Sequence, residues 1–335
     1  MRWLKKRLNL KRISLLVMVL GGVLGYALYF ANSPMPLLQT PLQFSLKPGS
    51  SLKSAALQMR QAGAIADEAS FVRLGRLLGK TRQIKFGNYQ LDKPVSRLEL
   101  LDMISSGKSS QSQITFVEGL TFREMRAVMD AHPDLKHDSS SLTEQALLQR
   151  IGATEAAAEG LFFPDTYNFS GGSSDLRVLQ RAYQLMQQNL AQAWAQRDSD
   201  LPLASPYEAL ILASIVEKET GREADRTLIA AVFINRLRLG MRLQTDPTVI
   251  YGLGARFDGN LRKRDLIADT PYNTYARSGL PPTPIAQPGL KSLWAVTHPA
   301  KSRALYFVAR GDGSSEFSDS LTAHNKAVRK YQLKQ

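Results

Sequence analysis

The 335-residue sequence has no cysteine and only four histidines. The first absence excludes disulfides, thiolate metal sites and a cysteine nucleophile. The histidines, at 132, 137, 298 and 324, form no H-E-x-x-H or comparable ligand spacing, so metal hydrolysis is disfavoured and no metal is expected. No G-x-S-x-G elbow is present, which disfavours a serine hydrolase. Neither a P-loop nor a G-x-G-x-x-G occurs, so nucleotide binding has no support and no cofactor is expected. No basic-aromatic platform or zinc-finger spacing points to nucleic acid.

Acidic residues are the minority charge, 29 against 43 Lys and Arg, for a net +14. Six of the positive charges (Arg2, Lys5, Lys6, Arg7, Lys11 and Arg12) stand in the first twelve residues, which leaves +8 for the rest. A basic surface suits a polyanion such as lipid headgroups or an acidic cell-wall polymer, and it also serves solubility. Residues 13–30 (ISLLVMVLGGVLGYALYF) carry no charge and are just long enough to span a bilayer as a helix. The positive-inside rule then keeps the N-terminus in the cytoplasm and exports the remainder. Tyr29-Phe30-Ala31-Asn32 lacks a small-x-small cleavage pattern, which favours an anchor over a cleaved signal peptide.

The expected fold class is α+β: a transmembrane helix, a small β-α-α-β module and a larger mixed catalytic domain. The boundaries are a tail at 1–12, the span at 13–30, a proline-containing linker at 31–43, the module at 44–112 and the large domain at 113–335. Within the module the pattern predicts strands near 44–47 and 87–91. Helices are expected at 52–62, 68–78 and 96–106, the last with Leu98, Leu101 and Ile104 inward. Further on, residues 132–158 read as a surface excursion, and 176–197 as a long amphipathic helix. Between these, Glu159-Gly-Leu-Phe-Phe-Pro-Asp165-Thr-Tyr167 sets Phe162, Phe163 and Tyr167 near two carboxylates. Aromatic faces beside polar groups commonly hold sugar rings, and packing under a loop explains the same residues equally well.

The most informative stretch is 205–251. Ser205 is a fitting N-cap, Pro206 suits the first helical position, and Glu208 stands where a capping-box carboxylate belongs. Leu212, Ile215, Val216 and Glu219 fall at i, i+3, i+4 and i+7, so Glu219 continues the apolar stripe of its helix. Glu217 is about 200° away around the helix, and its plain role is a surface ion pair. Gly221 is the expected C-cap, and a second helix is expected over 224–239. An inward carboxyl group has a raised pKa and can act as a general acid near neutral pH. A carboxylate in a region rich in Tyr, Asn, Gln and Thr is a glycosidase-like inventory.

Several segments together resemble the YceG/MltG family of endolytic murein transglycosylases. They are 213–220 (ASIVEKET), 232–237 (VFINRL), 240–252 (GMRLQTDPTVIYG), 272–275 (YNTY) and 279–282 (GLPP). Glu159-Gly160, Phe163-Pro-Asp-Thr166, His298-Pro-Ala and 305–309 (LYFVA) extend the match over nearly the whole exported part, whereas 132–158 add nothing to it. The resemblance implies cleavage of the MurNAc-β-1,4-GlcNAc bond within nascent peptidoglycan strands, leaving a 1,6-anhydro-MurNAc end. It further implies a LysM-like identity for the small module, a bacterial inner-membrane location with a periplasmic catalytic domain, and action near the peptidoglycan synthases. Its catalytic glutamate falls in the E-K-E-T motif and is assigned to Glu219, with Glu217 as the rival. Gln244, Thr245, Asp246, Tyr272, Asn273 and Tyr275 are the candidate sugar contacts, a structural hydrogen-bonding role being the competing reading for each. Two alternatives remain: a muramidase that uses Glu219 with Asp246 to add water, and a non-catalytic cell-wall-binding or division scaffold.

Overall fold

The computed structural model describes residues 2–37, 39–47, 49–107 and 111–333. The chain divides into two compact units, residues 1–113 with 168–173 and residues 114–167 with 174–335. Lys108, Ser109 and Ser110, at the expected boundary of the small module, lie outside the described residues.

The first unit opens with a 31-residue helix, α1 (Arg2–Asn32). It covers the expected span at 13–30, of which the side chains of 13, 14 and 16 lie outside the described residues. Among the described residues no helix is long and apolar enough to cross a membrane. Strand β1 (Leu42–Leu46) turns Leu42, Phe44 and Leu46 inward by the two-residue period of a strand. Helices α2 (Leu52–Gln61) and α3 (Glu68–Leu77) follow, started by the side-chain caps Ser51 and Asp67. Strand β2 (Gly87–Leu91) pairs antiparallel with β1, from Leu42 opposite Leu91 to Leu46 opposite Gly87. Phe44 stacks on Tyr89 across that pair. Helix α4 (Arg97–Ser106) begins with a complete capping box between Ser96 and Glu99. Its inward face is Leu100, Leu101 and Ile104, so Leu101 and Ile104 are buried as expected while Leu98 is only half-buried and Leu100 takes the inward place. The segment before β1 does not stand apart: Met35 is buried in this core and donates its N–H to Val95.

The second unit is mixed α+β. Strand β3 (Gln111–Thr115) leads to α5 (Phe122–Asp130), which carries a capping box between Thr121 and Glu124. The expected surface excursion at 132–158 is instead part of the body. It holds β4 (Leu135–Lys136) and α6 (Glu144–Ile151), whose Leu147, Leu148 and Ile151 are buried. Ser139 fixes it by donating its N–H and its hydroxyl, at 2.6 Å, to the buried Asp175. Strands β5 (Thr166–Ser170) and β6 (Ser173–Ser174) follow α6 in the chain.

Helices α7 (Asp175–Ala195), α8 (Pro206–Glu219) and α9 (Glu223–Arg238) come next. They are followed by α10 (Asp246–Leu253), the short α11 (Lys263–Ile267) and α12 (Leu290–Thr297). A hairpin of β7 (Tyr306–Ala309) and β8 (Ser315–Ser318) precedes α13 (Leu321–Val328). Helix α8 is the centre of this unit: α7, α9, α10 and α12 all pack on it. Eight consecutive residues, Ala209 to Val216, are buried, so the helix has no wet side along most of its length.

Candidate active site

Helix α8 starts as its sequence dictates. Ser205 accepts from Glu208 N, Pro206 opens the first turn, and the Glu208 carboxylate reaches back to the N–H of Ala204. Midway, the Ser214 hydroxyl donates to Ile211 O and accepts from Ile285 N, tying α8 to the 280s segment. The helix ends at Thr220 in extended backbone and does not turn through a left-handed Gly221. Its last turn delivers Glu217, Lys218 and Glu219.

The two glutamates lie in different surroundings, but not as periodicity predicts. Because α8 is enclosed all round, Glu217 also points inward. Its side chain is 6% exposed and pairs with Arg226, itself 7% exposed, at 3.1 Å. Glu217 also accepts the N–H of Gly289 at 2.9 Å, and Arg226 holds Ser292 at 2.6 Å. The expected surface ion pair is therefore a buried one, with its carboxylate oxygens already occupied.

Glu219 is half-buried, and among the described residues its hydrogen-bond partner is the Thr245 hydroxyl. Burial pushes its carboxyl above the usual range and the negative charge of Asp246 pushes the same way, against the Thr245 hydroxyl and the Arg236 guanidinium. A carboxyl whose pKa is pushed up and that bonds a hydroxyl is suited to proton transfer.

The loop before α10 and the 272–275 turn build the surroundings of Glu219. Thr245 N donates to Thr274 Oγ1 at 3.1 Å, and Thr248 bridges Thr245 O at 2.8 Å and Thr274 Oγ1 at 2.9 Å. Gln244, with φ of 50°, is the one non-glycine residue in the left-handed region among the described residues. Such strain, of order 1–3 kcal/mol, persists where the surroundings enforce it. Here Arg236 enforces it by donating to Leu243 O at 2.7 Å and Leu305 O at 2.7 Å.

The six candidate sugar contacts thus separate into two groups. Thr245 is buried and turned to Glu219. Asn273 is also buried: its amide nitrogen serves the carbonyls of Asp265, Leu266 and Ala268, and its oxygen accepts from the N–H groups of Tyr275 and Ala276. Gln244 and Asp246 are exposed, and Tyr272 and Tyr275 are half-buried with their hydroxyls on Thr283 and Asp246.

A cavity of about 700 Å³ is lined by Lys218, Pro247, Tyr251, Phe257 and Tyr272, with Thr121, Arg123 and Glu124. Tyr251 and Tyr272 meet edge to face with centroids 4.9 Å apart. These rings, and not those at 162–167, line the open space. Phe162 and Tyr167 are core residues, Phe162 stacking on Phe122. Glu159, in the same stretch, is buried at the edge of the cavity and accepts from Phe122 N at 2.9 Å and Gln287 Nε2 at 3.0 Å. Burial raises its carboxyl to about 7. Sequence patterning signals neither Glu159 burial nor the roles of Arg226, Arg236 and Thr274, since their partners are distant in the chain.

The sequence profile of the YceG-like family matches residues 44–330. A Bacillus subtilis protein named endolytic murein transglycosylase is 30% identical, covering 94% of this chain and 91% of its own. A Streptococcus pneumoniae protein of the same name is 27% identical over 93% of this chain, which spans only 62% of that longer relative. A crystal structure of a yceG-like protein from Listeria monocytogenes superposes with a TM-score of 0.55 at 29% identity, covering 85% of this chain and 97% of that one.

Proposed function

The chain belongs to the YceG-like family, and we infer from that premise that it is an endolytic murein transglycosylase acting within glycan strands. Glu219 is the residue we assign to the chemistry. Its protonated carboxyl gives its proton to the glycosidic oxygen as the bond from C1 of the muramic acid breaks. The resulting carboxylate takes the proton of the C6 hydroxyl of that same sugar, whose oxygen closes on C1 to give the 1,6-anhydro ring. No water is consumed, so one carboxyl serves as acid and then base, where a hydrolase needs a second. The observation that carries this reading is a half-buried carboxyl pushed above its usual range by burial and bonded by the Thr245 hydroxyl, next in the chain to Lys218, which lines an aromatic-walled cavity. In this reading Gln244, Asp246, Tyr272 and Tyr275 meet sugar, while Thr245 and Asn273 hold the scaffold. Mass spectrometry of digested glycan strands tests it: anhydro ends are expected, and reducing ends would mean that water is the acceptor.

The remaining assignments are proposals of the same kind. Residues 13–30 anchor the chain in a bacterial inner membrane, with the catalytic domain in the periplasm close to the peptidoglycan synthases. An uncharged run within a 31-residue helix supports this, as do Leu15, Val17, Met18, Val23 and Leu24, each more than half exposed. Lipid is the solvent in which such a surface is stable. The β1-α2-α3-β2 arrangement supports the LysM-like, glycan-binding reading of the small module. Extraction of the full-length protein with membranes, lost on deletion of residues 1–30, is the outcome expected of an anchor.

A further inference from the structure

A second cavity, of about 330 Å³, lies on the Glu217 side of α8. Asn189 and Gln192 of α7, Arg226 and Thr227 of α9, and Trp294 of α12 line it. Arg226 is 5% exposed, and its hydrogen bonds to Glu217 and Ser292 all leave from Nη1. Its Nε is buried and has no partner. The bonds to Glu217 and Ser292 engage Nη1, and the Nε–Nη2 edge of a guanidinium is the planar fork that fits a carboxylate with two parallel hydrogen bonds. The wall beside it is apolar, Ala295 with the Trp294 ring, and His298 stacks on that ring at 3.8 Å to hold it in place.

Size and charge narrow the occupant. Ligand cavities run from roughly 300 to 1,000 Å³, so this one suits a dipeptide end better than a run of sugar rings. Glu217 is already on Arg226, and Glu223 pairs with Lys291 at the cavity at 2.5 Å. The two cations of the lining, Arg226 and Lys291, are thus each paired with a carboxylate, which disfavours a doubly charged anion and favours a singly charged, delocalised one. We propose that this cavity binds a free carboxylate with a short aliphatic flank, the chemistry of the alanine C-terminus of the peptide that murein carries. The proposal rests on the murein reading above. Occupancy would bear on the catalytic helix, because Arg226 grips Glu217 two residues before Glu219.

The test uses full-length protein in detergent, titrated with N-acetyl-D-alanyl-D-alanine and with its C-terminal amide. Binding is followed by ligand-observed NMR and by tryptophan fluorescence, with Trp294→Phe as the control for the signal. The acid is expected to bind, and the amide at least about tenfold more weakly for loss of the charge-assisted pair. Gln192→Leu and Thr227→Val leave the Glu217 pair untouched, and each should weaken acid binding severalfold even if Arg226→Lys fails to fold. Equal binding of acid and amide, or binding insensitive to both cavity variants, overturns the proposal. On Glu219→Gln protein the acid should still bind, and peptide-bearing strands should displace it while peptide-stripped strands do not. Failure of that displacement overturns the murein assignment of the cavity. None of these binding results depends on which ends the enzyme produces, so the cavity and the cleavage reading stand or fall separately.

Discussion

The Tyr275 hydroxyl donates to Asp246 Oδ1 at 2.6 Å, joining positions 29 residues apart in the chain. The negative charge of Asp246 raises the pKa of Glu219. Asp246→Asn removes that charge, so Glu219 loses its proton at lower pH and the alkaline limb of the kcat/KM profile moves down in pH. A pH–rate profile of strand cleavage by the variant and by wild type measures the direction. An unmoved limb would detach Glu219 from the acid role.

Glu219→Gln and Glu217→Ala should fail in different ways. The first removes the acid and is expected to cut turnover about 10²- to 10⁴-fold with an unchanged melting temperature. The second strands Arg226 without its buried partner and is expected to cost about 3–5 kcal/mol of stability. Thermal unfolding alongside cleavage of purified strands separates the two. The reverse pattern would transfer the chemistry to Glu217.

Glu159 gives stability a pH dependence of predictable sign. Its folded-state value of about 7 lies above the ordinary 4.5, so the folded protein holds this proton more tightly than the unfolded chain. That contribution is fully present below the unfolded value and is lost as the pH rises through the folded one. It is worth about 3 kcal/mol across the window. Glu159→Gln should flatten that part of the profile, as read by denaturant unfolding at a series of pH values.

Gly160 is expected not to tolerate a side chain. Its φ is +80°, and a Cβ there would lie 2.3 Å from Pro284 Cβ. Gly160→Ala combines a left-handed alanine with overpacking and should cost about 2–5 kcal/mol. Because Glu159 adjoins it and is bonded to Gln287, the loss should appear as a lower denaturant midpoint with a smaller effect on the pH profile of cleavage.

The start, length and cargo of α8 are legible in the sequence because Ser205, Pro206 and the apolar run act locally. The rule that separates Glu219 from Glu217 presumes one wet face, and α8 has none over Ala209 to Val216. Glu217 is satisfied by Arg226, nine residues on, and by Gly289, 72 residues on, and pairings of that range leave no periodic trace. The same limit hides the body of 132–158, where a buried Asp175 bonds Ser139 from 36 positions away. Within the motif at 240–252, only folding divides an exposed Gln244 and Asp246 from a buried Thr245. The rings at 162–167 mislead because a buried aromatic and a sugar platform share one composition.

The hydroxyls of Thr248 and Thr274 bond to each other and to the backbone of Thr245, whose own hydroxyl donates to Glu219. Thr248 and Thr274 are 0% and 3% exposed, and ordinary core packing would let either drift to valine, which has nearly the same shape. Connectivity forbids that drift, since a methyl group neither donates nor accepts. Tolerance to substitution around Glu219 is therefore governed by who bonds to whom as well as by size and shape.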